Sequence, residues 1–302
     1  MAVGNELSSS KEKQRTLSRP IEVSGAGLFT GVKVKMRFVP AEEDTGIRFQ
    51  RTDLPEKPIL PARVENVRGT PRCTIIGCDQ VHIQTVEHVL AALKAYEIDN
   101  LLIEVSGCEI PSCDGSAIPF VEMIEQAGIE VQGAQKKVLR IQEPVFWSKG
   151  DVTLVALPAE DFRISYTLNY PNSDFLRAQF HTGIMSSDYF KQEIAPARTF
   201  SLYEEIVPLI ERGSIKGGSL ENAVIIKNDQ VINPEGLRFK DEMVRHKVLD
   251  LVGDLSLVGV SFHAHIIAIR SGHFSNTSLA KELVASFRGL DIESKIEDIA
   301  HV

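Results

Sequence analysis

No stretch of this 302-residue chain approaches the roughly 18 to 20 consecutive apolar residues of a membrane-spanning helix. The start of the sequence lacks the apolar core of a secretory signal, so a cytoplasmic protein is expected. Cysteine is scarce. Cys73, Cys78, Cys108 and Cys113 form no CxxC pair, which argues against a zinc ribbon or a dense disulfide framework and leaves reduced thiols. Positive charge is also in deficit, with 33 Lys and Arg against 41 Asp and Glu and a net charge of -8. That balance speaks against a broad nucleic-acid footprint, though not against a local basic pocket.

What remains is an ordinary globular composition, 43% hydrophobic and 25% charged. The length exceeds what one core usually serves, so two domains are expected. Residues 1–15 are polar, with a Ser run, and read as a disordered arm. Residues 16–134 and 135–302 read as the two domains, joined at a polar linker over 133–137. In the first, strands are expected over 21–31, 32–38, near Val64, at 74–76 and at 101–105. A helix is expected over 84–96, and a second one opens near Ser116 and closes at Gly128. In the second, strands are expected at 138–141, 152–157, 162–168, 223–226 and 265–270, and helices at 187–194, 202–213, 237–255 and 276–287. The shared order of elements suggests an α+β fold, two domains of similar two-layer α/β sandwich topology.

The helix over 237–255 carries the most chemistry. His246, Asp250 and Asp254 fall at i, i+4 and i+8, which stacks an imidazole and two carboxylates on one face. A divalent metal needs that combination, and a solvated or salt-bridged face fits it too. Glu87-His88 in the first helix supplies an imidazole and a carboxylate about 100° apart; a buried, hydrogen-bonded His is the plain alternative. Together His88, His246 and Asp250 make three ligands with an open fourth position, as in a catalytic zinc site, with a leftover carboxylate as general base. Neither half holds the full set, so the site is expected between them. His273, at the end of the last strand in Ser271-Gly-His273, reads as a proton donor or as a capping residue. Gly272 there permits a tight turn or a close backbone approach to a ligand. His263 and His265 read as sheet-face packing, and His82 and His181 as surface residues.

Six fragments in one collinear order resemble a known family. They are Thr85-Val-Glu-His88, Asp114-Gly-Ser-Ala117, Arg198-Thr-Phe200, Gly236-Leu-Arg-Phe239, Val244-Arg-His-Lys247 with Asp250 and Asp254, and Ser271-Gly-His273. The sequence is similar, from about Arg15 to Phe287, to the zinc-dependent UDP-3-O-acyl-N-acetylglucosamine deacetylases of lipid A synthesis, and most to the chlamydial branch. The resemblance implies zinc on His88, His246 and Asp250, with Glu87 as general base and His273 as general acid. It implies that Thr199 stabilises the oxyanion and that Asp254 orients or tunes His273. It implies substrate contacts from Phe200, Lys247, Arg270 and Leu28. The implied partner is a small-molecule UDP-linked acylated amino sugar, met by a cytoplasmic monomer in transient proximity to the inner membrane, with no nucleic acid and no membrane span. Each domain should carry a small insert. That of the second, about 202–232, would form an acyl-chain passage lined by Ile206, Val207, Leu209 and Ile210.

The chain departs from the family pattern at Phe29, usually His, at Cys113, usually Met, and at Arg270, often Lys. Iron (Fe2+) suits the same His, His, Asp donors as Zn2+. Another metal-dependent N-deacylase on this scaffold, or a non-enzymatic binding protein, are the competing readings.

Overall fold

The computed structural model describes residues 5–78 and 80–287. The chain opens with β1 (Glu6–Leu17), β2 (Ile21–Ala26), β3 (Lys33–Pro40), β4 (Ile47–Arg51) and β5 (Ile59–Pro61). A 3-10 turn at Val64–Asn66 leads to β6 (Val67–Gly69), β7 (Ile75–Cys78) and β8 (Val81–Gln84). Helix α1 (Glu87–Ala95), β9 (Leu101–Val105) and α2 (Ile118–Ala127) come after it. Next are β10 (Ile129–Arg140), β11 (Val145–Lys149), β12 (Val152–Leu157), β13 (Phe162–Leu168) and β14 (Gln179–Ile184). A short helix α3 (Ser187–Tyr189) runs into a π turn at Phe190–Ile194, and then into β15 (Phe200–Leu202) and α4 (Tyr203–Glu211). The chain continues through β16 (Val224–Lys227), β17 (Gln230–Val231), α5 (Glu242–Ser256), β18 (Ser261–Ile269) and α6 (His273–Ser286).

Two large sheets frame the molecule. One has the order β2-β3-β9-β4-β5; the other runs β1-β10-β18-β12-β11, with β13 on β18 and β14 on β13. Between the two halves α1 packs on α5, with α2 against α1 and α6 against α5. Nearly every residue of α1 and α5 is buried, as expected of helices covered on all sides. One apolar cluster runs through both halves, from Phe38, Phe49 and Ile103 to Tyr166, Phe262 and Ile266. The architecture is the expected α+β mixture. Among the described residues no helix is long and apolar enough to cross a membrane.

Several expectations from the sequence are overturned. The arm expected to be disordered is β1 from Glu6 onward, paired antiparallel with β10 from Glu6↔Arg140 to Leu17↔Ile129; its first four residues lie outside the described ones. The strand is polar because it lies at a sheet edge, and only its end, around Leu17, enters the core. The expected linker over 133–137 falls inside β10. The strand expected near Val64 is the 3-10 turn. Ser116 is not the N-cap of α2, which is Ala117, though its Oγ accepts the Ile118 N–H at 3.2 Å. Gly128 does close that helix, at φ 73°. The domain end over 288–302 lies outside the described residues.

Candidate active site

The start of α1 is under backbone strain. Thr85, a β-branched residue, sits at φ 63°, in the left-handed region that such residues avoid. Two neighbours hold it there. Its N–H donates to the Thr74 carbonyl at 3.0 Å, and its Oγ1 donates to Glu109 at 3.3 Å. The fully buried Glu109 carboxylate also accepts the N–H groups of Phe29 and Thr30 and the Thr30 hydroxyl. One acid thereby ties the 27–31 loop to the turn that aims Glu87 and His88 inward.

Opposite them, α5 presents His246 and Asp250 one turn apart. Gly253 makes the approach close: a Cβ there would stand 2.0 Å from the Glu87 carbonyl oxygen. His88, His246 and Asp250 each offer one donor atom, and these atoms lie within 4.8 Å of one another. Asp250 Oδ1 is 3.3 Å from His246 Nε2 and 3.6 Å from His88 Nε2. His246 Nδ1 lies 3.0 Å from the Ala197 carbonyl, which only a protonated nitrogen satisfies, so the lone pair of the neutral ring is on Nε2. Burial lowers the His246 pKa to about 4, which keeps the ring neutral. Burial also works against the Asp250 charge, yet Lys247 above all, with the charged His273, holds it well below the ordinary carboxyl range. A carboxylate oxygen thus faces a nitrogen lone pair with no proton between them, and Oδ1 has no hydrogen-bond partner among the described residues. A divalent cation resolves that conflict, so the donor set fits a metal.

On the far side of Glu87 stands His273. Its Nδ1 is 2.9 Å from Asp254 Oδ2, and its Nε2 is 3.9 Å from Glu87 Oε1. Burial opposes its charge, but Asp254, Asp250 and Glu87 outweigh that and raise its pKa to about 9. Burial raises Glu87 above the ordinary carboxyl value, against the pull of His273 and His88. The pair therefore combines a buried acceptor with a charged donor. His273 begins α6 instead of ending a strand, three residues earlier than the helix expected from Asn276. Gly272 beside it has extended backbone, with open space where a Cβ would sit. The expected tight turn is absent there.

Thr199 comes from the loop before β15. The loop is fastened by a buried ion pair: Arg198 donates to Glu242 from its backbone N–H, Nε and Nη2 at 3.0, 2.8 and 3.2 Å. It also bonds Glu235 and the Gly236 carbonyl. Because Ala197 in the same loop holds His246, this ion pair fixes both Thr199 and a candidate metal donor.

A cavity of about 310 Å³ opens over these groups, lined among others by Leu28, Phe29, Thr199, Phe200, Lys247 and His273. Lys247 Nζ donates to Asp250 Oδ2 at 2.9 Å and lies 5.5 Å from the centre of the Phe200 ring. Burial disfavours its charge, but Asp250 outweighs that and raises its pKa. A smaller recess of about 160 Å³ shares Lys247 and Tyr170 with the first and adds Arg270. Leu202 and Glu205 line the main cavity, whereas Ile206, Val207, Leu209 and Ile210 lie on α4, which buries none of its residues. At the cavity rim, Arg72 pairs with Glu205 at 3.1 Å.

The catalytic, metal-ligating and substrate-contacting residues expected from the sequence therefore meet around two adjoining cavities, except Asp254, which lies behind His273; the four apolar residues expected along an acyl-chain passage line neither cavity. Thr74, Gly253, Glu109 and Glu242 were not anticipated. Each acts through a partner distant in sequence, so no local spacing marks it. His181 is not a surface residue: it is buried, with Nδ1 3.3 Å from Asp241 and Nε2 2.9 Å from the Tyr189 hydroxyl. His82 and His263 are exposed, and His265 bonds Ser165 at 2.8 Å on the sheet face.

A sequence model of the family described as UDP-3-O-acyl N-acetylglycosamine deacetylase matches residues 14–285. A UDP-3-O-acyl-N-acetylglucosamine deacetylase of Chlamydia muridarum is 46% identical over 275 residues, 91% of this chain and 96% of that protein. The protein of the same name from Chlamydia pneumoniae is 45% identical over 272 residues, 90% and 96% of the two chains. That of Chlamydia caviae is 45% identical over 271 residues, with the same coverage.

Proposed function

The chain belongs to the UDP-3-O-acyl N-acetylglycosamine deacetylase family, and we propose that it hydrolyses the 2-acetamido group of UDP-3-O-acyl-N-acetylglucosamine. The products are acetate and the free amine of the acylated sugar, on the route to lipid A. The observation that carries the reading is the cluster itself: three convergent donors with an unpartnered Asp250 oxygen, flanked by Glu87 and His273.

In this reading His88, His246 and Asp250 hold a divalent cation, zinc by preference, with iron compatible with the same donors. When bound, the cation supplies Lewis acidity toward the acetyl carbonyl and makes a water more acidic. Glu87 takes the proton of the attacking water on Oε1, a role suited to a buried carboxylate of raised pKa. The Thr199 hydroxyl donates to the oxygen that gains negative charge. His273 enters protonated and gives its Nε2 proton to the departing amine, while Asp254 keeps Nδ1 fixed. Phe200 and Leu28 wall the sugar and acyl portions, and Lys247 and Arg270 meet the phosphates in the shared recess. The segment 202–232 forms the acyl-chain passage, entered past Leu202. Residues 16–134 and 135–302 divide the labour, the first giving base and one donor, the second the other donors and the acid. Every group in this scheme comes from one chain, which supports a monomer, and we place it in the cytoplasm near the inner membrane.

The test is acetate release from the UDP-linked substrate, with simple N-acetyl sugars as comparison. A chelator should abolish turnover, and added zinc should restore it. Glu87→Gln and His273→Ala should each lower kcat by roughly 10² to 10⁴. Unchanged turnover in the chelated protein, or wild-type rates in both variants, would refute the assignment.

A further inference from the structure

Thr74 precedes β7 and is fully buried. Its N–H donates to Glu87 Oε2 at 3.0 Å, and its hydroxyl donates to Asp254 Oδ1 at 2.5 Å. An ionised carboxylate only accepts, which sets the direction of the second bond. Its carbonyl receives the N–H of Thr85 at 3.0 Å, at the strained entry to α1. One residue thus holds the far oxygen of the base, the far oxygen of the acid's partner, and the turn that launches the base-bearing helix. A core threonine commonly spends its hydroxyl on a nearby carbonyl; this one reaches a carboxylate 180 positions away in sequence.

The geometry points to Thr74 as a positioning residue that keeps base and acid in mutual register, an inference that rests on the roles given above to Glu87 and His273. With Oε2 fastened, Glu87 turns Oε1 toward His273 Nε2. With Oδ1 fastened, Asp254 turns Oδ2 toward His273 Nδ1, where Asn276 Nδ2 also donates at 2.9 Å. Removing the hydroxyl leaves Asp254 two bonds on Oδ2 and none from Thr74 on Oδ1, so its carboxylate can rotate and carry His273 with it. The metal donors and the cavity wall do not depend on that bond. The loss should therefore fall on kcat, and substrate and metal binding should hold.

Thr74→Val keeps the shape and removes the hydroxyl; Thr74→Ser keeps the hydroxyl. The expected result is a fall in kcat on the order of 10- to 100-fold in the Val variant, with KM and metal content per chain unchanged, and near wild-type kcat in the Ser variant. In an Asp254→Asn background the Val substitution should add less than about threefold, since the two act through one bond. Wild-type kcat in Thr74→Val, equal impairment of Val and Ser variants, or fully additive losses with Asp254→Asn would each overturn the inference. If Thr74→Val does not fold, Thr74→Ala against Thr74→Ser gives the same comparison, and equal kcat overturns it. Glu87→Gln and His273→Ala serve as controls. Retained activity in those variants would mean that the acid-base reading itself had failed, whereas their loss with an unaffected Thr74→Val would sink Thr74 alone.

Discussion

Gly253→Ala should disarm the site while leaving the fold largely intact. The added methyl would stand 2.0 Å from the Glu87 carbonyl oxygen, 2.7 Å from its carbon and 3.0 Å from the Cα. All three are backbone atoms of α1, so no side chain can swing aside. Ordinary contact begins near 3.4 Å, and α1 and α5 must part by roughly 1 Å or more. His88 rides on one helix, His246 and Asp250 on the other, and metal–donor distances tolerate only about 0.2 Å. A misplacement of about 1 Å typically lowers turnover some 10²-fold. Stability should change much less. Overpacking costs about 1 to 3 kcal/mol, and alanine's better helix propensity returns close to 1 kcal/mol. Metal content per chain, acetate release and thermal unfolding of the purified variant measure the three effects. A Gly253→Ala protein that keeps one tightly bound metal and turns over within about threefold of wild type would refute the close approach of the two helices as the reason for this glycine. One that fails to fold would refute the separation of site from stability.

Other perturbations have defined outcomes. Arg198→Met leaves Glu242 buried and unpaired, and should destabilise the protein by about 3 to 5 kcal/mol in denaturant titration; a loss below about 1 kcal/mol would contradict an uncompensated buried charge. Chelation should lower Tm as well as activity, since a cation that binds only the folded site adds its binding free energy to stability; an unchanged Tm after verified metal removal would count against the cluster. Burial, aided by Arg245, holds His181 below the ordinary histidine pKa, against the opposing pull of Asp241 and Glu193. As pH falls below about 6.5, the unfolded chain therefore takes up this proton before the folded one does, and stability drops. Tm measured between pH 7.5 and 5.5 should fall less steeply in His181→Gln than in wild type, and identical slopes would rule this contribution out.

Features with a local period were legible in the sequence. His246, Asp250 and Asp254 share a face because a helix repeats every 3.6 residues, and Glu87-His88 could be joined to them by chemistry alone. The spans of β12 and β13 were visible in their alternation. The structure added what depends on distant partners. Nothing near Thr74 shows that its hydroxyl belongs to Asp254, and nothing near Gly253 shows that another helix's carbonyl needs the space. His181 looked like a surface residue because its partners, Tyr189 and Asp241, come from a short helix and from the residue preceding α5. β11 and β14 escaped notice because they carry exposed Phe146, Phe180 and Ile184, which blur the polar-out pattern.

The pairing of β1 with β10 has a consequence for how the molecule is made. The ribosome delivers Glu6–Leu17 well before the strand they pair with, which begins at Ile129. At roughly 5 to 20 residues per second, the nascent strand waits on the order of 10 s for its partner. During that interval its N–H and C=O groups are open to wrong pairings, and its Ser and Lys residues blunt them, as charged and polar residues do on exposed strands. A fragment that starts after Leu17 would expose the edge of β10 instead, an edge with the apolar Ile129 and Val131. Such a truncation should self-associate although it retains every group of the candidate active site.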